Sequence, residues 1–214
     1  MVKIGFICEG VVEKMFVETT NFQNYLKSIK LEKVGNTINA EGNGNLNYDY
    51  LIEHTKSFDD VLPDRIVILT DSDGKSREEI EKKIKPEIDK HVLVLAIQEI
   101  EAWFLSDIET LRDVLKNKTY SLQRNPEFIE KPSEKLLPKL IYQNRKLTLN
   151  KKAIADLFLN KDTKRTQYFK IENADCSSAK EFIKQLNDIA NLKINESNEK
   201  TEKPSKSSKM QSKK

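Results

Sequence analysis

Four runs of apolar residues alternate along this chain with segments in which apolar side chains recur at helical spacing. The apolar runs cover residues 2–8, 31–40, 66–69 and 92–97. Runs of this kind are typical of strands that are buried on both faces of a parallel sheet. Helices are predicted between and after them, over residues 11–28, 46–58, 76–90 and 98–117. The pattern therefore predicts an α/β fold in which a parallel sheet of about four strands is flanked by helices.

Local signals refine the predicted helices. The residues expected to face the core are Tyr48, Leu51 and Ile52 in one helix and Ile80, Ile84 and Ile88 in the next. Pro86 is expected to kink or divide the second of these helices, because proline lacks a backbone N–H. Asp107 is expected to cap a helix rather than to bind a ligand.

The pattern changes beyond about residue 120. Prolines at positions 126, 132 and 138 divide the chain into short pieces, with small helices predicted over 136–141 and 153–158. A closing helix is predicted over 178–192. We therefore divide the chain into three parts: a sheet domain (1–118), a helical extension packed on it (119–192) and a Lys/Ser-rich tail that is expected to be disordered (193–214).

Composition indicates a polar protein without a membrane span. Hydrophobic residues make up 37% of the chain and charged residues 33%, and no apolar run approaches the roughly 20 residues that a transmembrane helix needs. The two cysteines, Cys8 and Cys176, form neither a disulfide framework nor a metal-binding spacing. We expect a cytoplasmic protein with no structural disulfide and no membrane partner.

Basic residues are concentrated at the C-terminus. Residues 191–214 carry seven lysines and three glutamates, whereas the remainder carries 30 basic and 31 acidic residues, so the net charge of +3 comes from the tail. The body of the protein is near neutral. The overall charge is therefore only weak support for nucleic-acid binding.

Acidic residues follow three of the predicted strands. Asp71 and Asp73 come after the strand 66–69, and both carboxylates are expected on one side because alternate residues of an extended chain point the same way. The other acids at strand ends are Glu9, Glu13, Glu99 and Glu101. Turn chemistry for the aspartates, and the preference of acids for first helical turns, remain alternative explanations.

These six carboxylates are expected to share one edge of the sheet, where open α/β sheets bind ligands. So many anions repel each other unless cations compensate them, and only Lys14 and Lys75 lie near the strand ends in the sequence. The simplest compensation is Mg²⁺ or Mn²⁺, which prefer oxygen ligands. Two ions roughly 4 Å apart are a common arrangement for phosphodiester chemistry.

The order of these motifs resembles the Toprim domain of topoisomerases, primases and OLD (overcoming lysogenization defect) nucleases. The matching residues are Glu9, Gly10 and Glu13 in CEGVVEKMF, and Asp71 and Asp73 in LTDSDG. The segment QEIEAWFLSD, residues 98–107, is similar to the E-x-E-A-W-x-L-x-D signature of a small bacterial Toprim-like family of unknown function that is often linked with phage defence. The resemblance spans roughly residues 1–110.

The resemblance implies a Toprim-like parallel core, dependence on Mg²⁺ and phosphodiester substrates. It implies that Glu9 acts as the general acid/base or as a metal ligand. It further implies that Asp71 and Asp73 bind metal and that Glu13 completes a second metal position. Topoisomerases and primases use further domains that we do not recognise in this chain, so hydrolysis by water is the expected reaction.

Other residues are weaker candidates. One of Glu99 and Glu101 is expected to bind metal, because residues two apart on a helix point about 200° from each other. Trp103 is expected in the core rather than stacked on a base, and His54 and His91, which have no partner at metal spacing, are expected at the surface. Eight basic residues are either phosphate contacts or solvated surface: Lys131, Lys135, Arg145, Lys151, Lys152, Lys161, Lys164 and Arg165.

The sequence therefore favours a divalent-metal-dependent nuclease that acts on DNA rather than RNA, in the anti-phage setting that the resemblance suggests. One alternative is a Toprim-like binding or regulatory subunit of an ATPase-containing defence complex, which the near-neutral body favours. A second alternative is a phosphohydrolase of small substrates. Three experiments distinguish these functions: a nucleic-acid cleavage assay, a test of co-purification with an ATPase and an assay of nucleotide release.

Overall fold

The computed structural model describes residues 1–122, 124–135, 150–160 and 168–201, with side chains described as far as residue 192. Its sheet has five strands, and all of their pairings are parallel. The strands are β1 Val2–Cys8, β2 Leu31–Lys33, β3 Ile38–Asn39, β4 Arg65–Asp71 and β5 His91–Ala96. Their order is β2-β1-β4-β5, and β3 pairs with β1 beyond the end of β2.

Helices connect the strands and cover the sheet. They are α1 Val11–Val17, α2 Thr20–Ser28, α3 Tyr48–Thr55, α4 Arg77–Ile84, α5 Glu101–Ser106, α6 Ile108–Leu115, α7 Lys151–Leu159 and α8 Ser177–Thr201. Short 3₁₀ helices cover Lys56–Phe58, Pro126–Phe128 and Ile171–Asn173. No helix in these described ranges is long and apolar enough to cross a bilayer.

The sheet is buried on both faces, as its apolar strands predict. In β4, Val67 and Leu69 belong to one core, whereas Ile66 and Ile68 belong to the other. The larger core contains side chains from α1, α2, α5, α6, α7 and α8, and the smaller one contains side chains from α3 and α4. This two-sided burial explains why the strands lack the apolar–polar alternation of a sheet with one wet face.

The predicted fold class is confirmed, with one strand more than expected. Residues 31–40 form two short strands instead of one, because the chain turns between them at Gly35, where φ is +68°. The predicted helix 11–28 is likewise two helices. The second begins after Thr19, whose side chain accepts a hydrogen bond from the backbone N–H of Phe22.

Several predicted core positions are wrong. Helix α4 ends at Ile84, where Lys85 adopts a left-handed conformation just before Pro86, and Ile88 lies beyond the helix with 92% of its surface exposed. Of the three positions predicted to face the core in α3, only Leu51 is buried. Tyr48 and Ile52 are more than 40% exposed, because the eight-residue helix turns only a narrow stripe toward the sheet.

The predicted surface position of His91 is also wrong. His91 is buried at the start of β5. Its Nδ1 accepts a hydrogen bond from the backbone N–H of Glu87 at 3.0 Å, and its Nε2 lies 3.1 Å from the hydroxyl of Thr55. Both ring nitrogens are therefore satisfied, and burial lowers the pKa of the imidazole.

The C-terminal helices share the larger core with the sheet domain. Phe182 of α8 stacks on Trp103 of α5 with ring centroids 5.4 Å apart, and Phe158 of α7 stacks on Phe104 at 5.7 Å. Trp103 is fully buried, in agreement with its expected place in the core. Helix α8 continues past the predicted end at residue 192 to Thr201, so the proposed tail is helical at its start. The small helix predicted at 136–141 lies outside the described residues.

The start of α8 is held by the buried side chain of Glu127. Its Oε2 accepts hydrogen bonds from the backbone N–H and the hydroxyl of Ser177, at 2.8 and 2.6 Å. Its Oε1 accepts the corresponding pair from Ser178, at 2.8 and 2.5 Å. The hydroxyl of Ser178 also accepts a hydrogen bond from the indole N–H of Trp103 at 2.7 Å. A carboxylate at a helix N-terminus is favoured both by the exposed N–H groups and by the helix dipole.

Replacing this carboxylate should destabilise the protein. We expect Glu127→Gln to lower the free energy of unfolding by about 2–3 kcal/mol at pH 7, because an amide NH₂ group would face backbone donors. Hydrogen bonds from Ser177 and Ser178 lower the pKa of Glu127 despite its burial. The stabilisation is therefore present above the pKa of the unfolded chain, roughly 4.3, and should disappear as the pH falls through the folded-state pKa.

Urea unfolding of both proteins across this pH range measures the effect. Asp188→Asn, at an exposed position of α8, is the control and should change stability by less than about 0.5 kcal/mol. Equal stability of wild type and Glu127→Gln at pH 7 would contradict the assigned role.

Candidate acidic site at the carboxyl edge of the sheet

Three neighbouring strands deliver acidic residues to one edge of the sheet. Glu9 follows β1, Asp71 is the last residue of β4, and Glu99 comes three residues after β5. Because β1, β4 and β5 are adjacent and parallel, their carboxyl ends lie side by side. We use the name acidic edge for the five buried acids found here: Glu9, Glu13, Asp71, Glu99 and Glu101.

Asp71 lies at the centre of the acidic edge. It alternates in phase with Val67 and Leu69 and therefore points toward the larger core. The backbone N–H of Ile100 donates a 2.8 Å hydrogen bond to its Oδ1. Burial raises the pKa of Asp71 well above its usual value, and the negative charges of Glu13 and Glu101 raise it further.

Glu9 is held in place by its neighbours on β4. The hydroxyl of Thr70 donates a hydrogen bond to Oε2 of Glu9, and the backbone N–H of Asp71 donates a second one at 3.1 Å. Burial raises the pKa of Glu9, while these two hydrogen bonds oppose the rise. The carboxyl group is therefore fixed in orientation, as a metal ligand or an acid/base group needs to be.

Glu13 and Glu101 lie in the first turns of α1 and α5, where the sequence placed them. Oε2 of Glu13 accepts a 3.1 Å hydrogen bond from the backbone N–H of Gly10. Burial is the main reason that the pKa of each glutamate is raised to about 7. The two side chains differ in their partners, because neither carboxyl oxygen of the buried Glu101 has a hydrogen-bond partner within the described ranges.

The cation at the acidic edge comes from the C-terminal half. Lys151 begins α7, and its Nζ lies 2.8 Å from Oε1 of Glu99 and 3.9 Å from Oδ2 of Asp71. Burial opposes the charge on Lys151, but the surrounding carboxylates, with Glu101 first among them, raise its pKa. Oε2 of Glu99 accepts hydrogen bonds from the backbone N–H and the hydroxyl of Ser133, at 3.1 and 2.6 Å. These hydrogen bonds, with that from Lys151, lower the pKa of Glu99 despite its burial.

Asp73 does not follow the alternation that was expected to align it with Asp71. Strand β4 ends at Asp71, and Asp73 lies in the following turn with a φ of +48° and an exposed side chain. Its Oδ2 accepts a 3.3 Å hydrogen bond from the side-chain amide of Asn43. The charge of Asp73 nevertheless contributes to the raised pKa of Glu9. Asp73 therefore lies at the rim of the acidic edge rather than inside it.

Among the residues that the structure describes, the acidic edge combines five carboxyl groups with one ammonium group, that of Lys151. Within the described ranges, no three His, Cys, Asp or Glu side chains are arranged to hold a metal ion, and the expected pair of ions stays a prediction. The chemistry of the donors still suits a hard cation, because Glu101 offers two buried oxygens without partners. The sequence provided no signal that Lys151 and Ser133 would meet Glu99.

The remaining candidate residues cap a helix, pair with another residue, are exposed or lie outside the described residues. Asp107 caps α6, because its Oδ1 accepts a 3.2 Å hydrogen bond from the backbone N–H of Thr110, as predicted. Lys131 pairs with Glu134 at 3.4 Å. Lys135 and Lys152 are exposed. The other four basic candidates lie outside the described residues: Arg145, Lys161, Lys164 and Arg165.

The fold and the site define a class: an α/β protein with a parallel sheet whose carboxyl edge gathers buried acids around Lys151. The chain belongs to the family described as a domain of unknown function (DUF4276), whose model matches residues 8–187. The match begins at the last residue of β1, includes the other strands and the acidic edge, and ends within α8. Comparison with curated proteins and with solved structures found no match to either.

The raised pKa of Glu101 leads to a prediction for the metal-free protein. A folded-state pKa of about 7 lies above the unfolded value of 4.5, so the folded protein loses stability as the pH rises from the lower value to the higher one. We expect Glu101→Gln to raise the free energy of unfolding by roughly 1–2 kcal/mol at pH 8. The gain should shrink toward pH 5, where Glu101 carries a proton in the folded state.

Thermal unfolding in EDTA at both pH values measures this gain. Glu130→Gln, at an exposed position, is the matched control and should leave the melting temperature unchanged. A destabilised Glu101→Gln protein at pH 8 would show that the carboxylate has a partner that compensates its charge.

Proposed function

We propose that this protein is a divalent-metal-dependent nuclease that hydrolyses nucleic-acid phosphodiesters. The observation that carries the proposal is the buried Glu101, whose two oxygens have no hydrogen-bond partner among the described residues. Burial raises its pKa to about 7, and the positive charge of Lys151 offsets this rise only in part, while the charges of Glu99 and Glu13 add to it. Such an excess of buried negative charge is costly unless a cation compensates it. The proposed phage-defence setting rests on the resemblance to Toprim-like proteins alone.

Mg²⁺ or Mn²⁺ would be held by the carboxylates of Glu9, Glu13, Asp71 and Glu101, with Asp73 available at the rim. Bound there, the ion would supply Lewis acidity to the phosphate and a lowered pKa to bound water. Lys151 pairs with Glu99. Because Glu99 already has this partner, we propose Glu101 rather than Glu99 as the metal ligand.

The protein's own groups prepare the site in two ways. Hydrogen bonds from Thr70 and from the backbone N–H groups of Asp71 and Ile100 fix the carboxyl groups of Glu9 and Asp71. Lys151 is about half exposed, so its ammonium group has room for a phosphate oxygen as well as for Glu99. It would then stabilise the charge that develops on the phosphate during hydrolysis.

Cleavage assays test the proposal. Plasmid DNA, single-stranded DNA and RNA are incubated with Mg²⁺ or Mn²⁺ and with wild type, Glu9→Gln, Asp71→Asn or Glu101→Gln. We expect wild type to cleave and each variant to lose roughly 10²–10⁴-fold in rate. Asp71→Asn keeps an oxygen for the N–H of Ile100, so its loss of activity would report on charge rather than on folding.

Asp89→Asn serves as the control, because Asp89 is exposed near the start of β5, at the opposite end of that strand. Unchanged rates in all three acidic variants would end the proposal. Release of phosphate from nucleotides without cleavage of polynucleotides would point to a small-substrate phosphohydrolase.

The contacts of Lys151 favour a second candidate function. A lysine that already compensates Glu99 and Asp71 suits a site without metal, in a protein that acts as a binding or regulatory subunit. The resemblance suggests an ATPase as its partner. The near-neutral charge of residues 1–190 agrees with this candidate, since a nuclease acting alone usually has a clearer basic face.

Replacing Lys151 separates the two candidates. We expect Lys151→Met to lose about 1 kcal/mol of stability in EDTA, a small value because the lysine is half exposed. If the site binds metal, saturating Mg²⁺ should raise the melting temperature of wild type and should raise that of the variant at least as much. Lys152→Met, the exposed neighbour in α7, is the control. Melting temperatures that do not respond to Mg²⁺ in any of these proteins would favour the binding subunit.

A further inference from the structure

A cavity of about 610 Å³ lies next to the acidic edge. It opens at the turns that follow β4 and β5: Ser72, directly after Asp71, and Gln98, directly before Glu99, both line it. Its volume lies within the roughly 300–1,000 Å³ of small-molecule sites. The cavity is separate from the acids themselves, because no member of the acidic edge is among its lining residues.

The walls of the cavity have two characters. Leu95 of β5 and the following Ile97 give it an apolar wall, to which the buried Val94 and Phe182 add almost no exposed surface. Glu181 of α8 adds one carboxylate to the lining. Lys75 and Arg77 provide positive charge at the side nearest the turn after β4. An apolar wall beside cationic groups suits a ligand with a flat apolar part and an anionic part.

The turn between the acidic edge and the cavity is cross-linked. The backbone N–H of Asp73 donates to the carbonyl oxygen of Gln98 at 3.1 Å, and the backbone N–H of Gln98 donates to the hydroxyl of Ser72 at 2.9 Å. Asp73 and Gln98 both adopt left-handed backbone conformations, with φ of +48° and +62°. Such conformations are costly for residues other than glycine and persist where the surroundings fix them. The distance between the acids and the cavity is therefore set by the fold.

Lys75 is positioned to bind an anion. Within the described ranges its side chain has no hydrogen bond or ion pair, whereas Arg77 is bound to Glu81 and to the carbonyl oxygen of Leu93. A second lysine, Lys83, is close enough that the charge of Lys75 adds to burial in lowering its pKa. Two neighbouring cations repel each other, and an anion between or beside them would relieve that repulsion.

We propose that this cavity binds the base and sugar of the nucleotide next to the phosphate at the acidic edge, with Lys75 in contact with a backbone phosphate. This proposal rests on the nuclease function proposed above, and it specifies which part of the nucleic-acid substrate the cavity would contact. The base would pack against the apolar surface of Leu95 and Ile97, a contact that reads no hydrogen-bonding edge of the base. The cavity would thus favour a single strand, whose bases are free to turn outward.

Binding of single-stranded DNA in EDTA tests the proposal apart from cleavage. The probe is a fluorescein-labelled oligothymidylate of twelve nucleotides, followed by fluorescence anisotropy at several salt concentrations. One variant, Ile97→Trp, places a large side chain at a cavity-lining position that is 38% exposed. A second, Lys75→Gln, removes the proposed phosphate contact. The controls are Ile88→Trp and Lys82→Gln, at exposed positions that do not line the cavity.

We expect each cavity variant to bind about ten-fold more weakly than wild type and the two controls to bind as wild type does. Lys75→Gln should also reduce the slope of log K against log salt by about 0.7, the effect of one phosphate contact on a single strand. Melting temperatures establish that each variant is folded, and the salt slope of Lys75→Gln decides the matter if Ile97→Trp is unstable.

Three results would overturn the proposal: no binding by wild type, wild-type affinity in both cavity variants, or equal weakening in the controls. Failure of the nuclease function looks different. It would leave the oligonucleotide bound and the cavity variants impaired, while wild type with Mg²⁺ or Mn²⁺ cut no substrate.

Discussion

Repulsion between carboxyl groups at one edge of the sheet is the constraint to which the rest of this protein responds. Parallel strands end at the same edge, so the acids that follow β1, β4 and β5 are brought together by the topology itself. Helices α1 and α5 begin there and add Glu13 and Glu101. The acids gain from hydrogen bonds and from helix N-termini, but these gains do not cancel the cost of burying several like charges.

The C-terminal half supplies part of the compensation. Lys151 reaches Glu99 and Asp71 from the first turn of α7, and Ser133 adds two hydrogen bonds to Glu99. Behind them, Glu127 holds the start of α8 through Ser177 and Ser178. The matched family region spans both halves of the chain. The helical extension is therefore a part of the site as well as a cover for the sheet.

The turns after β4 and β5 connect the acidic edge with the cavity beside it. One side of these turns carries the acids, and the other side lines a cavity with cationic and apolar walls. Hydrogen bonds between Asp73, Gln98 and Ser72 fix the turns against each other. A site for phosphodiester chemistry needs both elements, because charge alone positions a phosphate but does not hold the nucleotide that carries it. The candidate reaction site and the candidate binding site thus lie on either side of the same hydrogen-bonded turns.

The sequence by itself determined the parallel α/β sheet and the meeting of acids at its edge, because apolar runs mark buried strands and parallel strands share one direction. It also determined the cap at Asp107, which depends on neighbours in the chain. Only the tertiary structure decided that Lys151 would pair with Glu99, that Glu101 would have no hydrogen-bond partner among the described residues and that His91 would be buried. Those outcomes depend on contacts between residues far apart in the chain, for which local spacing holds no signal. The exposed position of Asp73 has a related cause: where a strand ends is fixed by its pairing with the next strand, and β4 stops pairing at Asp71.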